Sequence, residues 1–212
     1  MSDYRPISLC NVVFRITSKV IANRLKKILP SIISDTQSAF VQRRLITDNV
    51  LIAFESMHHI HHKKGGKKGE MALKLDMSKA YDRLEWGCLE RIMTRLGFKE
   101  KWRSLIMRCV SSVSYSVKIN GKPKGHIILT RGLRQGDPLS PYLFLSCAEA
   151  LSALIKKAMD NGEMEGLSIY RHGPKISHLF FADDSIIFCK ATLEECNSLQ
   201  KILAVYEKAS GQ

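Results

Sequence analysis

The chain has no CxxC pair, no internal repeat and no long hydrophobic run, and each absence removes a class of protein. Its six cysteines, Cys10, Cys88, Cys109, Cys147, Cys189 and Cys196, are scattered. That spacing argues against a zinc site or a disulfide framework and for buried free thiols in a reducing compartment. No apolar run approaches the roughly 20 residues that span a bilayer. Arg15, Lys19 and Arg24 interrupt the first apolar region, and Met1-Ser2-Asp3-Tyr4-Arg5 has no apolar signal-peptide core behind it. Acidic residues are also scarce: 20 Asp plus Glu stand against 33 Lys plus Arg, a formal net charge of +13. A basic excess of this size in an otherwise ordinary globular composition points to a polyanion, most often nucleic acid. An anionic membrane surface would need a basic amphipathic helix with an exposed apolar face, and none stands out.

What is present is sufficient for a core. The 212 residues are 45% hydrophobic, which suits one large domain or two intimately packed subdomains. The chain is organised around Phe180-Phe181-Ala182-Asp183-Asp184-Ser185-Ile186-Ile187-Phe188. Two adjacent carboxylates lie between apolar runs that read as short strands, so the pair reads as a tight turn. Adjacent negative charges beside buried strands repel and cost desolvation. One or two divalent cations offset that repulsion. Alone, an Asp-Asp pair is more often a solvated turn.

Hydropathy patterning gives the remaining elements. Residues 5–9 and 12–14 read as short extended segments. Thr17 or Ser18 caps a helix that Pro30 ends. Residues 35–44 have no period and read as a loop. Thr47 caps a second helix bearing Val50, Leu51, Phe54 and Met57, which runs into four histidines within residues 58–62. Without a carboxylate or thiol partner, these histidines read as a polar helix end. The Lys-Gly run that follows reads as a solvated loop. Met71, Leu73, Leu75 and Met77 alternate with Ala72, Lys74 and Asp76, a strand that brings Asp76 to its end. Two helices follow, one carrying Trp86, Leu89 and Met93 and closed by Gly97, the next carrying Trp102, Ile106 and Cys109. Asn120-Gly121 marks a hairpin, returning at residues 126–129. Gly132 and Gly136 let the backbone approach something closely, and Pro138 or Pro141 opens a helix to about Met159. A hairpin of residues 167–170 with 176–181, a strand at 185–189, and a helix opened by the capping box Thr192-Leu193-Glu194-Glu195 complete the chain.

Four stretches occur in one order: Arg5-Pro6-Ile7-Ser8-Leu9; Leu75-Asp76-Met77-Ser78-Lys79-Ala80-Tyr81-Asp82; Gly132-Leu133-Arg134-Gln135-Gly136-Asp137-Pro138-Leu139-Ser140-Pro141; and Phe181-Ala182-Asp183-Asp184. Together they resemble the reverse transcriptase domain of non-LTR (LINE-type) retrotransposons, most of all the copies common in plant genomes. The resemblance runs over essentially the whole chain. It implies an α+β fold with the fingers and palm of a right-hand polymerase, an antiparallel palm sheet packed against helices. It places fingers in residues 1–70 and palm in residues 71–212, with fingers elements interleaved at about 85–130. The thumb, the primer grip and the endonuclease of such elements are absent, so the chain reads as a fragment or a truncated reading frame.

The implied activity is RNA-directed DNA polymerisation, with RNA template, DNA primer and deoxynucleoside triphosphates as partners, no membrane, and an intracellular setting in nucleus or cytoplasm. Phosphoryl transfer needs positioning and charge neutralisation more than covalent chemistry. Two Mg²⁺ ions, or Mn²⁺ in their place, are implied on Asp76, Asp183 and Asp184, with the three carboxylates converging. By the same resemblance, Tyr81 lies under the incoming sugar, where a 2′-hydroxyl clashes. Gln135 and Gly136 lie near the nucleotide and template, Arg5 contacts the triphosphate, and Arg15 is a second basic contact. The family's loop around Phe40 has glycine before that residue and Pro-Gly after it; here those positions are Ala39, Gln42 and Arg43. The alternative readings are a catalytically silent copy that only binds nucleic acid and, with less behind it, a metal-dependent nuclease.

Overall fold

The computed structural model describes residues 7–63, 69–171 and 173–212. Arg5 and the Lys-Gly run at 64–68 lie outside them. Helix α1 covers Val12–Ile32, and Asn11 caps it by accepting from the Phe14 amide at 2.8 Å. The helix therefore begins five or six residues before the expected cap at Thr17 or Ser18, and residues 12–14 are helical rather than extended. Pro30 lies inside the last turn and forfeits one amide bond there. The helix still closes, with the Ile33 amide donating to the Leu29 carbonyl at 2.9 Å. Helix α2, Ile46–His62, starts without a side-chain cap, so Thr47 sits in its first turn instead of before it. Its buried contacts come from a narrow stripe of Ala53, Ser56 and Ile60. Val50, Leu51, Phe54 and Met57, whose spacing marked the helix, face solvent.

The centre is a three-stranded antiparallel sheet of β1 (Glu70–Asp76), β5 (Asp184–Lys190) and β4 (His178–Phe181), in that spatial order. Helices α3 (Ala80–Arg83), α4 (Trp86–Arg95) and α5 (Glu100–Ser111) follow β1. A second, two-stranded sheet pairs β2 (Ser114–Ile119) with β3 (Lys122–Ile128). Asn120 and Gly121 both adopt positive φ between them, the backbone that a two-residue hairpin turn requires. Helices α6 (Ser140–Asp160) and α7 (Leu193–Ser210) complete the described elements.

Alternation along β1 decides the layering. Met71, Leu73 and Leu75 pack with Ile187 and Cys189 against Leu151 and Ile155 of α6 and Leu199, Ile202 and Tyr206 of α7. On the other face, Ala72, Ile186 and Phe188 meet Ala53 and Ile60 of α2. The larger core lies between α1, α4, α5 and the first half of α6, around Leu25, Leu29, Leu89, Ile106 and Phe144.

Two expected pairings are reduced. The hairpin of residues 167–170 with 176–181 survives only as a bridge between Leu167 and Ile176, because residues from 178 onward pair with β5. The capping box at α7 is half made. Thr192 accepts from the Glu195 amide at 3.3 Å, but the Glu195 carboxylate accepts from the Lys190 amide at 2.9 Å and the Glu165 amide at 3.3 Å. It ties α7 to the end of β5 instead of closing its own cap. The molecule is thus α+β, with antiparallel sheets.

Candidate active site

Strands β1 and β5 finish together, and Asp76 is paired directly with Asp184. Across the next ladder Phe181 pairs with Asp184, so Ala182 and Asp183 form the two-residue turn between β4 and β5. Ala182 has φ +55°, a left-handed backbone at a residue that carries a Cβ. All three carboxylates therefore occupy one end of the central sheet.

Little compensates their charge. The Lys74 ammonium stands 3.8 Å from Asp184, with both side chains mostly exposed, an ion pair that contributes little. Among the described residues, neither Asp76 nor Asp183 has a hydrogen-bond or ion-pair partner for its side chain. Nor, among those residues, do three His, Cys, Asp or Glu side chains gather closely enough to enclose an ion by themselves. The three carboxylates share a strand end as an open set. An open set of hard oxygen donors still fits Mg²⁺, which keeps several waters or takes phosphate oxygens to complete its shell.

Tyr81 lies on α3, and its ring stacks on Phe144 with centroids 5.1 Å apart and planes 17° from parallel. Burial, and after it the negative charge of Asp183, pushes its phenol up to about 12. Tyr81 packs against the same core cluster as Ala182 of the Asp183 turn. The main chain of α3 is clamped to the loop before α6. Leu133 donates to the Tyr81 carbonyl at 2.7 Å, and Gly132 to the Leu84 carbonyl at 2.8 Å. The Trp86 indole donates to the Gly132 carbonyl at 2.7 Å.

Gln135 is half-buried in this loop, and its carbonyl accepts from the Ser8 amide at 2.9 Å. Gly136, at φ +97°, would put a Cβ 3.2 Å from the Ser8 carbonyl oxygen. Both residues are therefore tied to the amino-terminal segment. Arg134 between them and Gly132 is buried: it lies 3.8 Å over the Phe14 ring, pairs with Asp137 at 3.4 Å and donates to the Cys109 carbonyl at 2.7 Å. Arg15 follows Phe14 on α1 and is exposed. The structure thus brings together Asp76, Asp183, Asp184 and Tyr81, and separately joins Gln135 and Gly136 to residues next to α1.

Sequence periodicity missed the support beneath the turn. Residues 36–38, read only as loop, lie beside β4: Phe180 donates to the Thr36 carbonyl at 2.7 Å and Ser38 to the Phe180 carbonyl at 3.1 Å. His178 is buried between the Thr36 and Ser152 hydroxyls, each 2.8 Å from Nε2, with the Ser177 hydroxyl 2.9 Å from Nδ1. Burial pulls its imidazole down to about 4. Unbroken polarity at Thr36-Gln37-Ser38 gives no periodic signal, so these contacts had none to announce them.

The architecture has solved counterparts. Telomerase from Candida albicans, in complex with a TWJ fragment of telomeric RNA, superposes with a TM-score of 0.57 at 14% identity, covering 94% of this chain and 33% of that one. An apo telomerase from Candida tropicalis gives 0.53 at 13% identity, covering 93% of this chain and 35% of that one. The chain therefore shares the fold of these proteins. Residues 1–211 match the reverse transcriptase (RNA-dependent DNA polymerase) family, and the chain belongs to it.

Among curated relatives, a transposon TX1 protein of 149 kDa from Xenopus laevis is 28% identical over 99% of this chain. A Pol polyprotein of the type-1 retrotransposable element R2 from Popillia japonica is 26% identical over 88% of it. An uncharacterized mitochondrial protein of Arabidopsis thaliana is 52% identical over 67 residues, 32% of this chain and 55% of its own length. The chain spans 16% of the Xenopus protein and 25% of the Popillia polyprotein.

Proposed function

We propose that the chain is the catalytic core of an RNA-directed DNA polymerase, adding deoxynucleotides to a primer 3′-hydroxyl along an RNA template. The observation that carries this is the pairing of Asp76 with Asp184 beside the Asp183 turn, at an open end of the sheet. In this reading Asp76 and Asp183 hold two Mg²⁺ ions, or Mn²⁺, and Asp184 completes the acidic set. The ions supply Lewis acidity toward the attacking hydroxyl and the leaving pyrophosphate. The chain's own residues position and exclude. Tyr81 presents a ring face held by Phe144 under the sugar, where its bulk rejects a 2′-oxygen. Gln135 and Gly136 line the nucleotide and template side, and Arg15, with Arg5 preceding the described residues, provides fixed positive charge for phosphates.

In the same reading residues 1–70 are fingers and 71–212 palm, with 85–130 interleaved as fingers. The sheet, α6 and α7 supply the palm layers. The net charge of +13 favours a template–primer held by its backbone, with a setting in nucleus or cytoplasm where nucleic acid is available. The net charge of +13 also fits a second reading, a domain that binds nucleic acid without extending it. Primer extension on poly(rA)/oligo(dT) with Mg²⁺ or Mn²⁺, beside binding to the same duplex, separates the two. Extension lost in Asp183→Asn with binding retained supports the polymerase, and binding without extension in the unaltered chain supports the second reading.

A further inference from the structure

The turn that carries Asp183 is held from outside its own hairpin. Gln37 is 2% exposed. Its side-chain oxygen accepts from the Ala182 amide at 3.1 Å and from the Ala39 amide at 3.0 Å. Both partners are backbone donors, so the carboxamide has one orientation: oxygen toward them, Nε2 away. That nitrogen is buried and has no hydrogen-bond partner among the described residues, a cost the molecule retains in order to place the oxygen. The backbone of Gln37 is fixed as well. It bridges Phe180 in parallel register, and the Asn49 amide group donates to the Phe180 carbonyl at 2.9 Å. Arg44 donates to the Gln37 carbonyl at 2.8 Å and to the Ile33 carbonyl at 3.0 Å. The side chain thus leaves a braced segment and ends on Ala182, whose φ of +55° is left-handed at a residue that carries a Cβ.

We propose that Gln37 is a positioning residue for the Asp183 turn: by holding the Ala182 amide it sets where Asp183 presents its carboxylate to a divalent cation. The cation half rests on the polymerase reading above, whereas the positioning half stands on the geometry alone. Among the described residues the Gln37 side chain bonds only the Ala39 and Ala182 amides, so its effect on Asp183 passes through the Ala182 main chain.

The test uses the whole chain, Mn²⁺ as the probe, and two substitutions of similar volume. Gln37→Met removes the acceptor and keeps the length, while Gln37→Glu keeps an acceptor oxygen in place. In Gln37→Met the Ala182 amide should exchange with solvent roughly three- to tenfold faster. The dissociation constant for Mn²⁺, read by electron paramagnetic resonance, should rise by a similar factor. Gln37→Glu should keep the Ala182 amide protected. An amide equally protected in Gln37→Met overturns the proposal, as does faster exchange with unchanged Mn²⁺ affinity. Should Gln37→Met fail to fold, the unaltered chain decides: a through-hydrogen-bond coupling between the Ala182 nitrogen and the Gln37 side-chain carbonyl carbon supports the contact, and its absence overturns it. Asp183→Asn isolates the underlying reading. If that variant binds Mn²⁺ as the unaltered chain does, the metal site is lost and the exchange result still decides the positioning role.

Discussion

Asp76 stands directly across the β1–β5 ladder from Asp184, two carboxylates in register at the last rung. Like charges facing each other on a sheet destabilise it. With Lys74 3.8 Å from Asp184 and no ion-pair partner for Asp76 among the described residues, the strain falls mainly on Asp76. Asp76→Asn should therefore raise stability in metal-free buffer by up to about 1 kcal/mol, or roughly 2–4 °C in Tm for a chain of this size. The same change should abolish primer extension. Differential scanning calorimetry with and without Mg²⁺ checks it: the gain should shrink when Mg²⁺ is added, because the ion offsets the repulsion in the unaltered chain. A lower Tm in metal-free buffer would contradict the relationship.

Much of this end of the sheet was legible because strands write themselves with period two. Met71, Leu73 and Leu75 share a core face and bring Asp76 to the end of the strand, as the alternation predicts; the Asp183-Asp184 pair read as a turn, but the turn is Ala182-Asp183, and Asp184 already opens β5 as the partner of Phe181 and Asp76. The loop supporting that turn was not legible. Gln37 and His178 act through buried hydrogen bonds, which leave no periodic trace. Helix α2 misled for a different reason. Its large apolar residues mark a helix correctly, but Ala53 and Ser56 are the side that packs, since small residues let the helix approach the sheet. In the loop after α1, Arg43 holds a left-handed φ of +65°, at the position where the resemblance leads one to expect glycine.

Acid should loosen the loop from β4. His178 is neutral and buried, with its imidazole pulled down to about 4 by burial, against 6.5 when unfolded. Between these values the unfolded chain binds a proton that the folded chain refuses, so stability present above pH 6.5 is lost as pH falls toward 4. The loss from this group should reach about 3 kcal/mol at the lower end. Urea titrations at pH 7 and pH 5 measure it. His178→Gln, which cannot take up a proton, should cost stability at pH 7 but flatten this part of the pH dependence. An equally steep fall in the variant would assign the acid sensitivity elsewhere.

Gly132 is the close approach that its motif foretold, although what approaches is the protein's own chain. At φ +90°, an added Cβ would lie 2.7 Å from the Asp82 carbonyl oxygen. Gly132→Ala therefore meets both a left-handed backbone and a clash with main chain that has no side chain to swing aside. A loss of about 2–4 kcal/mol follows from the two together. Gly97, at φ +83° with nothing within 4 Å of its Cβ position, is the internal control. Gly97→Ala should cost only about 1–2 kcal/mol, the backbone share. Thermal melts of the pair resolve the difference, and equal losses would mean the Asp82 contact relaxes freely.

Tyr81 decides between a core residue and a substrate filter, because its position permits both. Its ring is stacked on buried Phe144, and its phenol is raised to about 12 by burial and by the Asp183 charge. A purely structural ring predicts that Tyr81→Ala costs roughly 3–5 kcal/mol of stability, with activity on both nucleotide classes falling together. A filter predicts more. Removing the ring opens the volume a 2′-hydroxyl would occupy, so ribonucleotide use should rise relative to deoxyribonucleotide use. Each tenfold change in that ratio corresponds to ~1.4 kcal/mol of transition-state discrimination. Tyr81→Val is the gentler variant, since it keeps part of the packing on Phe144. Measuring kcat/KM for dTTP and UTP beside Tm separates the cases. A shifted UTP-to-dTTP ratio at modest thermal cost assigns Tyr81 to the sugar. With a lowered Tm and an unchanged ratio, the ring belongs to the core.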